Sequence, residues 1–284
     1  MSSHDVPPSP PPFDALTAGG GRWRPTGFIT ISAGLHAAAL ASVLLAPESW
    51  PWALGAVAVD QAAITLAGLL PRSQLLGPNW TRLPHPAGAH GLVALTFDNG
   101  PDPEHAPWVL DRLDQAGCRA SFFCIGEQAR RHPALCREIV ARGHSVENHS
   151  LRHRLDFAFS GYRGFVREVA EAQALLADIT GAPSRFFRAP FGIRNPLLEP
   201  ALCRVGLRLA SWTRRGYDTR EASPEKVCRR LLRGLAAGDI LLLHDANSAL
   251  TAGGVPVLRQ VLPRVLDAID TRGLRGIALP EALA

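Results

Sequence analysis

Apolar residues fall along this chain in two patterns, one unbroken and one interrupted. The unbroken pattern comes first. Positions 27–46, GFITISAGLHAAALASVLLA, carry no formal charge apart from what His36 can acquire. A helical stretch of about 20 such residues matches the hydrocarbon thickness of a bilayer. A polar turn, PESWPW, follows, and its two tryptophans suit the interface where an indole is at once wet and apolar. A second apolar run, 52–70, carries Asp60 and Gln61 near its middle. A carboxylate at the bilayer centre costs roughly 3 kcal/mol on insertion scales, so this run is the less favourable span of the two. The pattern predicts a membrane-spanning helical hairpin over 27–72. The alternatives are a cleaved signal peptide and a pair of buried or amphipathic helices attached to the following domain. A signal peptide would place a short apolar run close to the N-terminus, whereas this one starts late and continues into another.

Charge orients the hairpin. Arg22 and Arg24 precede it, Arg72 and Arg82 follow it, and the turn between carries Glu48 and neither Lys nor Arg. Positive flanks stay in the cytoplasm. Both ends, and the domain beyond, are therefore expected on the cytoplasmic face of the inner membrane. With one span only, the domain would lie on the other side. Residues 1–26, with PPSPPP at 7–12, have the composition of a disordered tail. Residues 73–91 read as a linker.

From residue 92 the pattern is interrupted. Short apolar runs, LVALTF, ASFFCI, HSVENH, FFRAP, LRLASW and DILLLHD, read as buried strands ending in polar residues. Helical periodicity fills the intervals near 104–116, 127–142, 163–180, 196–205, 224–236 and 255–272. Strands alternating with helices predict a parallel sheet, open or closed into a barrel, with its site at the C-terminal ends of the strands.

Composition narrows the classes. The net charge is +5 with scattered arginines, which fits a membrane surface and lacks the aromatic-interleaved basic strip of a nucleic-acid protein. The five cysteines, Cys118, Cys124, Cys136, Cys203 and Cys228, are odd in number and form no CxxC, so they read as free thiols rather than a disulfide framework or a structural zinc site.

Five strand ends carry functional groups: TFDNGPDP with Asp98 and Asn99, NHSLRH with His149 and His153, FRAPFG with Arg188, SWTRRGYD with Trp212 and Asp218, and LLLHD with His244. Over residues 92–284 these five motifs, in this order, resemble carbohydrate esterase family 4, the polysaccharide deacetylases related to nodulation and chitin deacetylases. No one motif is specific; their order and spacing together are. The resemblance implies a distorted (β/α) barrel. It implies Asp98 as catalytic base and His244 as the acid that protonates a leaving amine, since an amide nitrogen leaves poorly without a proton. Arg188 would hold Asp98, and Asp218 would balance Arg188. His149 and His153, four apart, would share one helical turn and chelate one ion. Trp212 and Leu242 would line the acyl-methyl pocket, and the backbone N–H of Phe191, where the family often has tyrosine, would support the oxyanion. Asp245 reads as structural.

One position departs. The family usually has a second aspartate as third metal ligand, and here it is Asn99, whose amide oxygen is a neutral and weaker donor. The implied cofactor is a divalent metal, zinc first with cobalt or nickel as alternatives. The implied activity is removal of an N-acyl group from an amino-sugar glycan or glycolipid. Two other functions stay open: a catalytically silent carbohydrate-binding protein on the same barrel, and an O-acetyl esterase.

Overall fold

A computed structural model describes residues 22–84 and 90–283. Most of the expected tail, and positions 85–89 of the expected linker, lie outside the described residues.

The unbroken apolar runs form two long helices, α1 (Gly27–Leu45) and α2 (Trp50–Leu69). Thr26 caps α1 by accepting from the Ile29 N–H at 3.2 Å. The two helices pack on each other as a hairpin and are otherwise bare: Leu40, Leu44, Leu54 and Leu66 are exposed. Both are long and apolar enough to cross a membrane. Asp60 is not left alone between them. Ser32 Oγ donates to its carboxylate at 2.6 Å, and the His36 ring lies 3.6 Å away. Gln61 in turn meets His36 at 3.0 Å. The polar residues that weaken the second run thus face the first.

The remaining elements alternate as their periodicity predicts. They are β1 (Leu92–Asp98), α3 (Ala106–Gln115), β2 (Ser121–Cys124), α4 (Gly126–Arg131), α5 (Pro133–Ala141), β3 (Ser145–Asn148), α6 (Tyr162–Thr180), β4 (Phe186–Phe187) and α7 (Leu198–Val205). There follow β5 (Arg208–Leu209), β6 (Arg214–Arg215), α8 (Pro224–Leu232), β7 (Ile240–His244), α9 (Val257–Thr271) and β8 (Arg275–Ile277). The expected single helix at 127–142 is two. Pro133 has no N–H to continue the first, and its fixed φ starts the second. β6 and β8 are too short to have stood out from the sequence.

All strands run parallel, in the order β5-β4-β3-β2-β1-β7-β6, with β8 pairing the start of β1. The sheet curls into a distorted (β/α) barrel. Residues 80–83 cross its open side: Trp80 exchanges backbone hydrogen bonds with Leu209 and Ser211, and the Leu83 N–H donates to Gly238.

The period of two along each strand sorts the side chains. On β1, Val93, Leu95 and Phe97 face outward and join Phe122, Leu241 and Leu243 beneath α3, α5 and α9 in the main core. Ala94 and its neighbours Phe123, Phe186, Trp212, Ile240 and Leu242 face inward. Further along the same inward face, four residues beyond Ala94 and two beyond Leu242, stand Asp98 on β1 and His244 on β7, which are register partners.

Candidate active site

The inward face opens at the C-terminal strand ends into a cavity of about 200 Å³. Asp98, Asn99, His149, His153, Phe191, Trp212, Leu242 and His244 line it. Residues from five distant stretches of sequence meet there. Arg188 and Asp218 stand immediately behind the wall.

Arg188 is 1 % exposed, and its guanidinium is placed entirely by hydrogen bonds. Nη1 donates to Asp98 Oδ1 at 2.6 Å and to Thr96 Oγ1 at 2.9 Å. Nε and Nη2 donate to the carbonyls of Ala210 and Ser211 at 3.1 and 2.8 Å. Its face lies 4.0 Å above the Phe123 ring. Burial alone would raise the Asp98 carboxyl, but the charge of Arg188, with that of His244 beside it and the Arg188 hydrogen bond, outweighs burial and holds it below the usual carboxylate range. Asp98 is therefore an ionised base with one oxygen tied down.

His244 is governed by Asp218. The carboxylate accepts from the His244 backbone N–H at 2.9 Å, and its other oxygen meets Nδ1 at 2.9 Å. Burial opposes protonation of this ring, but the charge and hydrogen bond of Asp218, with Asp98 beyond, raise His244 above its ordinary value. The bond to Nδ1 leaves Nε2 to carry the mobile proton. This corrects the expected role of Asp218. It does not balance Arg188; it orients and charges His244. Arg188 needs no second carboxylate, because carbonyl oxygens satisfy its remaining donors.

The histidine pair also differs from expectation. His149 and His153 do not share a helical turn. They follow β3 in a loop where Ser150 and His153 both have positive φ, at 65° and 51°. The loop nonetheless brings the rings to 4.7 Å between centroids. His149 Nδ1 lies 2.8 Å from the Arg188 carbonyl, which leaves Nε2 facing the cavity, 3.9 Å from Asp98 Oδ2. Burial lowers His149 to about 3 and lowers His153 as well, so both rings are neutral and carry a free lone pair. A carbonyl-anchored, neutral imidazole is the form in which histidine binds a metal. Among the described residues, no third His, Cys, Asp or Glu completes a ligand cluster with them. The donor set on offer is two neutral imidazoles and the Asn99 amide, which fits a divalent ion without neutralising its charge.

Backbone strain concentrates here. Six non-glycine residues have positive φ among those described, and four of them, Asn99, His153, Phe191 and Asn247, line the cavity. Such backbone persists where surrounding structure holds it, and it clusters at functional sites. At Phe191, φ is 59° and the N–H donates no hydrogen bond among the described residues. The sequence reading passed over Asn247, Thr219, Arg220 and Arg215, which also line the cavity. Arg215 was in plain view within SWTRRGYD, but nothing in a strand end of two arginines says which one faces inward.

A family model described as polysaccharide deacetylase matches residues 86–210. A chitooligosaccharide deacetylase of Sinorhizobium fredii is 34% identical over 197 residues, covering 66% of this chain and 90% of that protein. The chain belongs to the polysaccharide deacetylase family. A peptidoglycan-N-acetylglucosamine deacetylase of Bacillus cereus is 28% identical over 192 residues, 66% of this chain and 67% of its own. Among solved structures, a family 4 carbohydrate esterase from Streptomyces lividans, in complex with acetate, superposes with a TM-score of 0.59 at 30% identity, covering 66% of this chain and 91% of that one. A family 4 pseudoenzyme from Bacillus anthracis shares the fold, with a TM-score of 0.64 at 20% identity over 73% of this chain and 69% of its own. The first two of these relatives are deacetylases of N-acetylated sugars, hydrolases acting on carbon–nitrogen bonds other than peptide bonds.

The Asp218 contact generates a test with a defined sign. His244 is useful as an acid only while protonated, and Asp218 raises the pH to which it stays so. Asp218→Asn is expected to lower turnover and to move the alkaline limb of the turnover–pH profile to lower pH. An unmoved limb would show that Asp218 does not set the His244 proton affinity.

Proposed function

We propose that this chain is a metal-assisted N-deacylase that removes acetyl, or another small acyl group, from an amino-sugar glycan or glycolipid. One observation carries the reading. Asp98 and His244 face each other across adjacent strands, and their surroundings push them in opposite directions, the carboxylate toward its ionised form and the imidazole toward its charged form. Such a divergence is how one site supplies a base and an acid together.

The residues divide the work accordingly. Asp98 Oδ2, the oxygen not held by Arg188, takes the proton of the attacking water. His244 Nε2 delivers a proton to the departing nitrogen, without which an amine does not leave. The free N–H of Phe191 supports the carbonyl oxygen as charge develops on it. Trp212 and Leu242 form the apolar wall for an acyl methyl. His149, His153 and Asn99 would hold the divalent ion, zinc first with cobalt or nickel as alternatives. When bound, that ion supplies Lewis-acid polarisation of the acyl carbonyl.

The hairpin belongs to the same proposal. Its exposed apolar sides and internally paired Asp60 support a bilayer anchor, and the arginines at both ends support a cytoplasmic domain at the inner membrane. A periplasmic-active reporter fused at the C-terminus is expected to stay silent, and strong reporter activity would reverse the orientation.

Asp98→Asn and His244→Ala are each expected to lower acetate release from N-acetylated oligosaccharides by about 100-fold or more, the usual share of a positioned base or acid. O-acetylated oligosaccharides run alongside identify an esterase. Near-normal release by either variant would remove that residue from the chemistry. No release by the native chain from either substrate favours the silent carbohydrate-binding protein, for which Asn99 is the supporting feature.

Residue 99 has its own measurement. A carboxylate beside a divalent ion adds an attraction that an amide cannot, so Asn99→Asp is expected to bind zinc more tightly in calorimetric titration. Intact mass must accompany it, because Asn99-Gly100 is a sequence prone to deamidation. Equal affinity without deamidation would place residue 99 off the metal.

A further inference from the structure

Beside the deacylation cavity lies a second cleft, of about 320 Å³, which shares Trp212 and Arg215 with it as a common wall. Four arginines line this cleft, Arg72, Arg214, Arg215 and Arg230, and no acidic residue does. Two of the four are balanced from behind. Arg214 pairs with Asp239, and Arg230 meets Glu221 at 3.3 Å. Arg215 has no carboxylate partner among the described residues. Its guanidinium lies 5.1 Å from the Trp212 ring and 4.8 Å from the Tyr217 ring, and its buried Nε makes no hydrogen bond. Arg72 is likewise without a carboxylate and reaches only the Thr213 carbonyl, at 3.3 Å.

A guanidinium in contact with two aromatic rings, with its buried Nε unused, is a prepared anion site. Two cations without carboxylate partners in one cleft suit a phosphate, whose oxygens can accept from both guanidiniums at once. The cleft also has a fixed relation to the hairpin. Pro71 and Arg72, in its wall, directly follow α2, whose last turns leave Leu66, Leu69 and Leu70 more than half exposed. Three environments therefore adjoin: a cavity for an acylated sugar, a cationic cleft, and an apolar helix flank at the membrane.

We propose that the substrate is an N-acylated amino sugar joined through a phosphate to a lipid carrier, with the phosphate between Arg72 and Arg215 and the lipid along the end of α2. Arg230, although paired with Glu221, adds a further donor to the wall of the same cleft. The inference rests on the reading of the adjacent cavity as a deacylation site and of the hairpin as an anchor.

The test uses the full chain in detergent and three probes: farnesyl-phospho-N-acetylglucosamine, the neutral farnesyl N-acetylglucosaminide, and N-acetylglucosamine 1-phosphate. Binding is titrated, and acetate release is measured in parallel against an N-acetylated chitooligosaccharide. The farnesyl phosphosugar is expected to bind at least 10-fold more tightly than either other probe. In the Arg72→Gln/Arg230→Gln double variant, which spares the shared wall, its preference over the neutral farnesyl sugar should fall toward unity. A preference for the phosphosugar that survives this variant would overturn the cleft as its seat. Equal binding of the neutral farnesyl sugar would overturn the phosphate, and equal binding of the soluble phosphosugar would overturn the lipid. Phosphosugar preference in binding without acetate release from any substrate would uphold the cleft and sink the deacylase reading instead.

Discussion

The Arg188–Asp98 ion pair is the contact on which the site depends. Arg188 leaves the end of β4 and reaches Thr96 and Asp98 on β1, three strands away in the sheet order. It can do so only because the sheet curls, and its other donors fasten the chain beyond β5 to the same point. A buried ion pair seldom adds net stability over apolar packing, but removal of one partner leaves a bare charge at a cost of roughly 3–5 kcal/mol. The pair therefore does more to select a conformation than to stabilise it. A barrel mouth in which β1, β4 and β5 did not converge would leave both charges unsatisfied.

From that contact the polarity of the site follows. Arg188 occupies one oxygen of Asp98 and leaves the other facing the cavity. The same residue's carbonyl lies against His149 Nδ1, so a single residue holds both the base and an imidazole beside it. On the adjacent strand Asp218 does for His244 what Arg188 does for Asp98, with the sign reversed. Asp98 and His244 thus each have a buried counter-charge behind them and the cavity in front. The electrostatic asymmetry is built from four side chains on four strand ends, and it does not require them to be near in sequence.

What the sequence made legible followed from local rules. The hairpin, the parallel alternation and the helix positions follow from periodicity; a period of two carries Leu242 and His244 to the cavity face, and the same strand ends with their loops bring the other named residues beside them. The errors arose where tertiary contacts decide. Spacing of four suggested a helical turn for His149 and His153, yet Ser150 and His153 adopt left-handed backbone that no spacing rule reveals. Asp218 was assigned to the wrong partner because sequence order says nothing of which strand lies beside which: β6 pairs with β7, so the segment that follows β6 meets His244 rather than Arg188. Residues 80–83, read as linker because Gly77-Pro78-Asn79 and Pro84 bracket them, fill the open side of the barrel, a role set by a gap that exists only once the sheet has curled.

The hairpin is joined to the site as closely as any strand is. The Arg194 N–H donates to the Gly68 carbonyl at 3.1 Å, and a Cβ on Gly68 would stand 2.2 Å from the Arg194 carbonyl oxygen. A Cβ on Gly192 would stand 2.6 Å from the Trp212 ring and 2.9 Å from Pro71. The short loop that holds Gly192 and Arg194 also carries Phe191, which lines the cavity. The end of α2, Trp212 and the Phe191 loop are consequently one packed unit with no room for a side chain at Gly68 or Gly192. A tether alone would need only a loose connection; this packing fixes the tilt of the cavity relative to the hairpin. That constraint is of no use for a soluble oligosaccharide, which can approach from any direction. With the hairpin in a bilayer, as proposed, it is of use for a substrate whose own position is set by the membrane.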